Sequence, residues 1–209
     1  MTHVRQVGPN VRPLTPVLIE HRRSGPTARP TAFLDRDGVL IENRQSYVRG
    51  VADVRVLSAA PDAVALLLER GFQIVVVTNQ AGVGKGVLDL EEAIAIDRHV
   101  VDGFGPASRA FLATYLCPHR PGDRCPCRKP GNAMIEAAIT RYGIPRDRCF
   151  MVGDAPDDIR AGTASGLPTT LVRSGRATEA DLAWADGRVP VRDDVLKAVR
   201  DHQGAAYVE

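Results

Sequence analysis

The strongest constraint on the fold of this 209-residue chain is a recurring unit, a short unbroken apolar run that stops on polar residues. Thr31-Ala32-Phe33-Leu34 stops at Asp35, Phe72 to Val77 stops at Thr78-Asn79, and Cys149 to Val152 stops at Gly153-Asp154. Ala110 to Leu116 and Thr169 to Val172 repeat the apolar run. Strands without polar alternation must be covered on both faces. Helices are expected between them. Ser58 is placed to cap a helix with Pro61 in its first turn, Val64, Leu67 and Leu68 on one face and Gly71 past its end. Further helices are expected over 89–102, over 132–142 closed by Gly143, over 155–165, and over 193–202. The alternation predicts an α/β fold with a doubly wound, mostly parallel sheet. In such folds ligands gather at the carboxyl ends of the strands.

The strand ends deliver Asp35, Asp37, Thr78 and Asp154 to one edge of the sheet, with Asp157 and Asp158 close behind. Clustered carboxylates repel one another unless a cation neutralises them, and hard oxygen ligands suit Mg²⁺. Asp154 is the expected metal ligand. Residues two apart at an extended strand end face the same way, so Asp35 and Asp37 can address one substrate. One carboxylate can attack phosphorus while the other protonates the leaving alcohol and later takes a proton from water. Gly38 lets the chain turn away after the pair. Cys127-Arg128-Lys129-Pro130 precedes a helix, which offers Lys129 as a point charge and Arg128 as a planar fork for anions.

Cys117, His119, Cys125 and Cys127 form C-x-H-x5-C-x-C, the soft tetrahedral ligand set that structural Zn²⁺ prefers. All four positions are filled, so the expected task of the zinc is to pin a loop and thereby place Arg128 and Lys129. Cys149 stands apart and reads as a small buried hydrophobe.

Taken in order, DRDGV (35–39), VVTNQ (76–80), CRKP (127–130) and VGD (152–154) resemble the aspartate-nucleophile phosphatases of the haloacid dehalogenase superfamily. FLDRDGV, TNQAGVGKG and CPHRPGDRCPCRKP resemble more narrowly the D-glycero-D-manno-heptose 1,7-bisphosphate 7-phosphatases and their relatives, the histidinol-phosphate phosphatases. The resemblance spans roughly residues 32–173. It implies that Asp35 is the nucleophile and Asp37 the general acid/base. Magnesium would be held by Asp35, Asp154 and the backbone carbonyl of Asp37, with Asp158 behind the metal or beside the lysine. Thr78 and Lys129 would stabilise the phosphoryl group and Arg128 would recognise substrate. Asn43, Arg44, Gln45, Ser46 and Tyr47, with Asn79, Gln80 and Ala81, would also touch it, and Lys85 is a further candidate. Departures from the family pattern are Lys85, where an arginine is more usual, and Gly131-Asn132-Ala133 after CRKP. The implied substrate is a small phosphorylated sugar, with histidinol phosphate the alternative.

Other classes fit less well. A zinc-stabilised binding module would need a basic bias and stacking aromatics, whereas Lys plus Arg number 27 against 25 Asp plus Glu and aromatics are 5%. A receiver domain lacks the Asp pair and the CRKP loop. Gly82 to Gly86 is not a nucleotide P-loop, because Asn79 and Gly86 stand where that motif needs Gly and Ser or Thr. No nucleic-acid or membrane partner is expected, and neither a signal-like apolar segment nor a span is present, so a cytoplasmic monomer is the expectation. Residues 1–30, rich in Arg and Pro, read as a basic N-terminal extension preceding a single domain over 31–209. With 42 residues between Asp35 and Thr78 and 50 between Thr78 and Lys129, no separate cap domain has room. His21 and His99 read as surface groups, Arg36 as structural or solvated, and Asp157 as a helix-dipole acid.

Overall fold

The computed structural model describes residues 14–22 and 28–202. Among these residues the strands are β1 (Val17–Glu20), β2 (Thr31–Leu34), β3 (Gln73–Asn79), β4 (Phe111–Cys117), β5 (Cys149–Gly153), β6 (Thr169–Val172) and β7 (Val191–Arg192). They form one sheet in the order β1-β4-β3-β2-β5-β6-β7, parallel throughout except that β1 runs against β4. The helices are α1 (Ala60–Glu69), α2 (Ala81–Gly84), α3 (Leu90–Asp102), α4 (Ala133–Tyr142), α5 (Pro156–Ala164), α6 (Glu179–Ala185) and α7 (Val195–Asp201). None is long and apolar enough to cross a membrane.

The apolar strands are buried on both sides because successive residues feed opposite layers. Ala32, Leu34, Ile74 and Val76 pack with Val64 and Leu67 of α1, Ile96 and Val100 of α3 and Val195 of α7. Phe33, Val75 and Val77 pack instead with Met134, Ile135 and Ala138 of α4. Each such side chain removed from water contributes roughly 1.5–3 kcal/mol. The chain winds from β2 through β3 to β4, then returns to place β5 on the other flank of β2. Right-handed crossovers oblige the helices to change faces when the winding reverses. The reversal between β2 and β5 is the crevice where a doubly wound sheet binds ligands. It brings Asp35 beside β5, with the Asp35 N–H donating to the Val152 carbonyl at 3.0 Å.

Three expectations change. The extension over 1–30 includes the edge strand β1, whose Glu20 accepts from Tyr142 Oη at 3.0 Å and from Arg141 Nη2 at 2.9 Å. His21, expected on the surface, lies against α3 and β4, with Nε2 at 2.9 Å from Thr114 Oγ1 and 3.4 Å from Asp97 Oδ2. An edge strand with one neighbour needs only a few apolar residues, and the flanking Pro and Arg hid this one. Of the rest of the expected extension, 14–16 and 28–30 flank β1 and β2, and 1–13 and 23–27 lie outside the described residues. Ser58 also does not cap α1. The N-cap is Ala59, without a side-chain bond, while Pro61 does sit in the first turn and Gly71 takes φ +76° beyond the end. α3 carries the capping that α1 lacks, since Asp89 and Glu92 satisfy each other's backbone N–H. The two-residue β7 and the short α6 left no apolar pattern long enough to predict.

Candidate active site

At the carboxyl edge of the sheet, Asp35, Asp154 and Asp158 are all buried, and each offers an oxygen within 4.8 Å of the others. The one ammonium among them is Lys129, itself only 1% exposed. Its Nζ lies 2.9 Å from Asp35 Oδ1 and 2.6 Å from Asp158 Oδ1, and donates to the Val77 carbonyl at 2.7 Å. Burial opposes the charge on Lys129, but the carboxylates of Asp158 and Asp35 outweigh it and hold the pKa above the usual lysine range. Asp35 Oδ1 also accepts from the Arg36 N–H at 2.7 Å, which leaves Oδ2 without a hydrogen bond among the described residues. Asp158, at the third position of α5, accepts at Oδ2 from the Asp154 and Ala155 N–H groups at 3.1 and 3.0 Å. It therefore caps the helix and anchors the lysine at once.

Asp154 is tightly confined. Its Oδ2 accepts from Asn43 Nδ2 at 3.3 Å and from the Arg176 N–H at 2.8 Å. A Cβ on Gly38 would fall 2.3 Å from that oxygen, and one on Gly175 2.2 Å, so both backbones press on the carboxylate. Gly38 takes φ +88°, open to glycine and strained for other residues. Asp154 Oδ1 is buried and has no hydrogen-bond partner. Burial, with the neighbouring Asp35 and Asp158 charges, pushes the Asp154 carboxyl up to about 7. An orphaned buried oxygen among crowded hard donors fits a divalent cation such as Mg²⁺.

Asp37 is held by two partners. Arg36 Nη2 lies 3.2 and 3.0 Å from its two oxygens, and Gln80 Nε2 donates to Oδ2 at 2.7 Å. The same Gln80 nitrogen is 2.9 Å from Thr78 Oγ1, tying the end of β3 to the end of β2. Arg36, at 1% exposure, is a structural ion-pair partner and not a solvated one.

Asp35, Asp37, Thr78 and Gln80 line a cleft of about 590 Å³ together with Asn43, Arg44, Gln45, Tyr47, Val48, Asn79, Gly175 and Arg176. The predicted Lys129, Asp154 and Asp158, buried behind it, are not part of this lining, nor are Ser46, Ala81, Lys85 and Arg128. The Ser46 carbonyl accepts from Arg49 Nε, Ala81 is buried at the start of α2, and Lys85 Nζ reaches Tyr47 Oη at 2.8 Å on the rim. Arg128 is half-buried, and its Nη1 has no hydrogen-bond partner. Asn79 has a task that sequence reasoning missed. Its Oδ1 accepts from the Lys129 N–H at 3.0 Å while its Nδ2 donates to the Lys129 carbonyl at 3.1 Å, across 50 residues of sequence. The loop after β6 was also missed, although the strand-end rule, applied to that run as well, points to Ser174, Gly175 and Arg176. Ser174 Oγ donates to the Gly38 carbonyl at 2.7 Å, binding this loop to the turn after β2.

Cys117 at the end of β4, His119, Cys125 and Cys127 form a second cluster, all four buried. Cys117 Sγ lies 3.4 Å from His119 Nδ1, 3.6 Å from Cys125 Sγ and 3.5 Å from Cys127 Sγ, and His119 Nδ1 lies 3.2 Å from Cys127 Sγ. Zn–N and Zn–S bonds of about 2.0–2.3 Å place tetrahedral ligands roughly 3.3–3.8 Å apart, so the set fits zinc. Cys127 lies two residues before Lys129, so fixing one helps fix the other.

The HAD-hydrolase-like family matches residues 126–198. The D-glycero-beta-D-manno-heptose-1,7-bisphosphate 7-phosphatase of Neisseria meningitidis serogroup A is 32% identical over 169 residues, 81% of this chain and 90% of the relative. The D-glycero-D-manno-heptose-1,7-bisphosphate 7-phosphatase of Chlorobaculum tepidum is 31% identical over 181 residues, 80% of this chain and 90% of the relative. Among solved structures, D,D-heptose 1,7-bisphosphate phosphatase from B. bronchiseptica, complexed with magnesium and phosphate, superposes with a TM-score of 0.74 at 26% identity, covering 81% of this chain and 96% of that one. With its carboxylate edge, its Cys/His cluster and relatives matched along most of their length, the chain belongs to the haloacid dehalogenase-like hydrolases, in the heptose-1,7-bisphosphate 7-phosphatase family.

Proposed function

We propose that the protein is a phosphomonoesterase that hydrolyses the 7-phosphate of D-glycero-D-manno-heptose 1,7-bisphosphate, giving heptose 1-phosphate and phosphate. The pairing of Asp35 with Lys129 at 2.9 Å, beside an Asp37 held by Gln80, carries this reading. With Oδ1 committed to Lys129 and the Arg36 N–H, Oδ2 of Asp35 is the oxygen that attacks phosphorus. The ester P–O bond breaks as Asp37 gives its proton to the leaving sugar alkoxide. Asp37 then takes a proton from the water that cleaves the aspartyl-phosphate. Thr78 and Lys129 meet the phosphoryl oxygens, and Lys129 is freed toward them as the Asp35 carboxylate loses its negative charge on becoming an acyl phosphate.

Asp35, Asp154 and the Asp37 carbonyl would hold magnesium, backed by Asp158, and when bound it supplies charge compensation to the phosphoryl group. Cys117, His119, Cys125 and Cys127 would hold zinc in a structural role. Sugar selection falls to Asn43 through Tyr47 and to Arg128. The relatives named as heptose-bisphosphate 7-phosphatases support the choice of substrate. The test is kcat/KM for heptose 1,7-bisphosphate measured in parallel with histidinol phosphate. A ratio of at least about 100 in favour of the heptose is expected, equivalent to roughly 2.7 kcal/mol of transition-state discrimination. A ratio below one transfers the assignment to histidinol phosphate.

A further inference from the structure

We infer that Arg176, in the loop after β6, receives the non-reacting anionic group of the substrate, and that in the free protein it rests on the metal carboxylate. This rests on the phosphatase reading above. Backbone and side chain of this residue behave differently. The backbone is fixed, because the Arg176 N–H donates to Asp154 Oδ2 at 2.8 Å and Gly175 lies too close to the same oxygen to carry a Cβ. The side chain is loosely held. Its Nε is 3.6 Å from Asp154 Oδ1, with no hydrogen bond to that oxygen, and it is 51% exposed in the cleft lining. The contact is long and its guanidinium is half-exposed, so water can take over the arginine as it leaves, while a cation takes its place against the buried carboxylate.

Asp154 Oδ1 is also the oxygen left open for a cation. Arg176 and a divalent ion therefore compete for one acceptor, and occupancy by the ion turns the guanidinium toward the cleft. There its planar fork matches a phosphate, as Arg44 in the same lining does. A bisphosphate is the substrate class that presents a second such group while the first is over Asp35.

The experiment uses full-length Arg176→Ala and Arg176→Lys. Magnesium binding is titrated calorimetrically without substrate, and kinetics at saturating magnesium compare heptose 1,7-bisphosphate with p-nitrophenyl phosphate, which has no second anionic group. For Arg176→Ala the magnesium Kd should tighten about two- to fivefold, the scale of a long ion pair lost from a half-exposed guanidinium. KM for the bisphosphate should rise about tenfold, with the loss falling on KM rather than kcat, while KM for p-nitrophenyl phosphate changes less than about twofold. Arg176→Lys should recover part of the KM. Equal losses on both esters, or a magnesium Kd that does not tighten, overturn the inference. Failure of the phosphatase reading would show separately, as wild-type protein that turns over neither ester.

Discussion

Two clusters of ligand-type side chains are linked in this molecule through Lys129, and they are built on opposite principles. In the Cys117–His119–Cys125–Cys127 cluster every group is buried and every member is of a type that could hold a metal, so nothing is left over for a substrate. In the Asp35–Asp154–Asp158 cluster the charges are balanced by groups that are themselves chemically useful, with Lys129 between two carboxylates and Arg176 on the third. One cluster closes on itself. The other reaches the cleft through Asp35 and keeps an oxygen, Asp154 Oδ1, without a hydrogen bond. Burial alone does not separate a structural centre from a reactive one; the difference is whether the charges are satisfied within the cluster.

Three substitutions can break this contrast. The largest effect is expected from Asp35→Asn, which should lower kcat by about 10⁴-fold or more, equivalent to roughly 5.5 kcal/mol, with the fold retained by circular dichroism. Turnover close to wild type would remove Asp35 from the chemistry. Lys129→Met comes next. It leaves Asp35 and Asp158 buried without their counter-charge, and urea denaturation in the absence of metal should show a loss of about 3–5 kcal/mol. Adding Asp158→Asn to that variant should return part of the loss, because it removes one of the stranded charges. Cys127→Ser should cost least, about 1–3 kcal/mol, or a fall in Tm of roughly 2–10 °C. Zinc content by atomic absorption should fall from one equivalent per chain in the same variant. A wild-type protein purified without zinc and unaffected by chelators would make the cluster a set of buried thiols only.

Much of this architecture was legible because parallel strands advertise themselves. Phe33-Leu34, Ile74 to Val77 and Phe150 to Val152 have no polar alternation, and each is buried on both faces. Asp35, Thr78 and Asp154 then follow from the strand ends, and the cysteine spacing marks the second cluster independently. What stayed hidden is long-range or context-dependent. β1 is a four-residue edge strand pairing across nearly a hundred residues with β4, and no local periodicity reports such a partner. Asp158 is open in sequence between a place behind the metal and one beside the lysine, and only the fold, which brings Lys129 to it from another loop, puts the ammonium at 2.6 Å. Asn79 reads as one more strand-end polar group, and only the folded chain shows its amide spent on the backbone of Lys129. Arg176 carries no motif, and its position comes from Gly175 packing on a carboxylate contributed by a different strand.

The amide of Asn79 does for Lys129 what a neighbouring peptide group would do in a sheet, offering one donor and one acceptor to the same residue. The CRKP segment is thus docked as if it were a further rung beyond the end of β3. That docking divides the connection between β4 and α4 into a part whose length is fixed and a part whose length is free. Residues 121–124 at the tip are exposed, so chain inserted there is absorbed by solvent. Between Cys127 and Lys129 there is no slack, since both ends are pinned and a single added residue would force a choice between the place of Cys127 in the Cys/His cluster and the rung. Lengthening or shortening in this part of the molecule should therefore be confined to the stretch between His119 and Cys125.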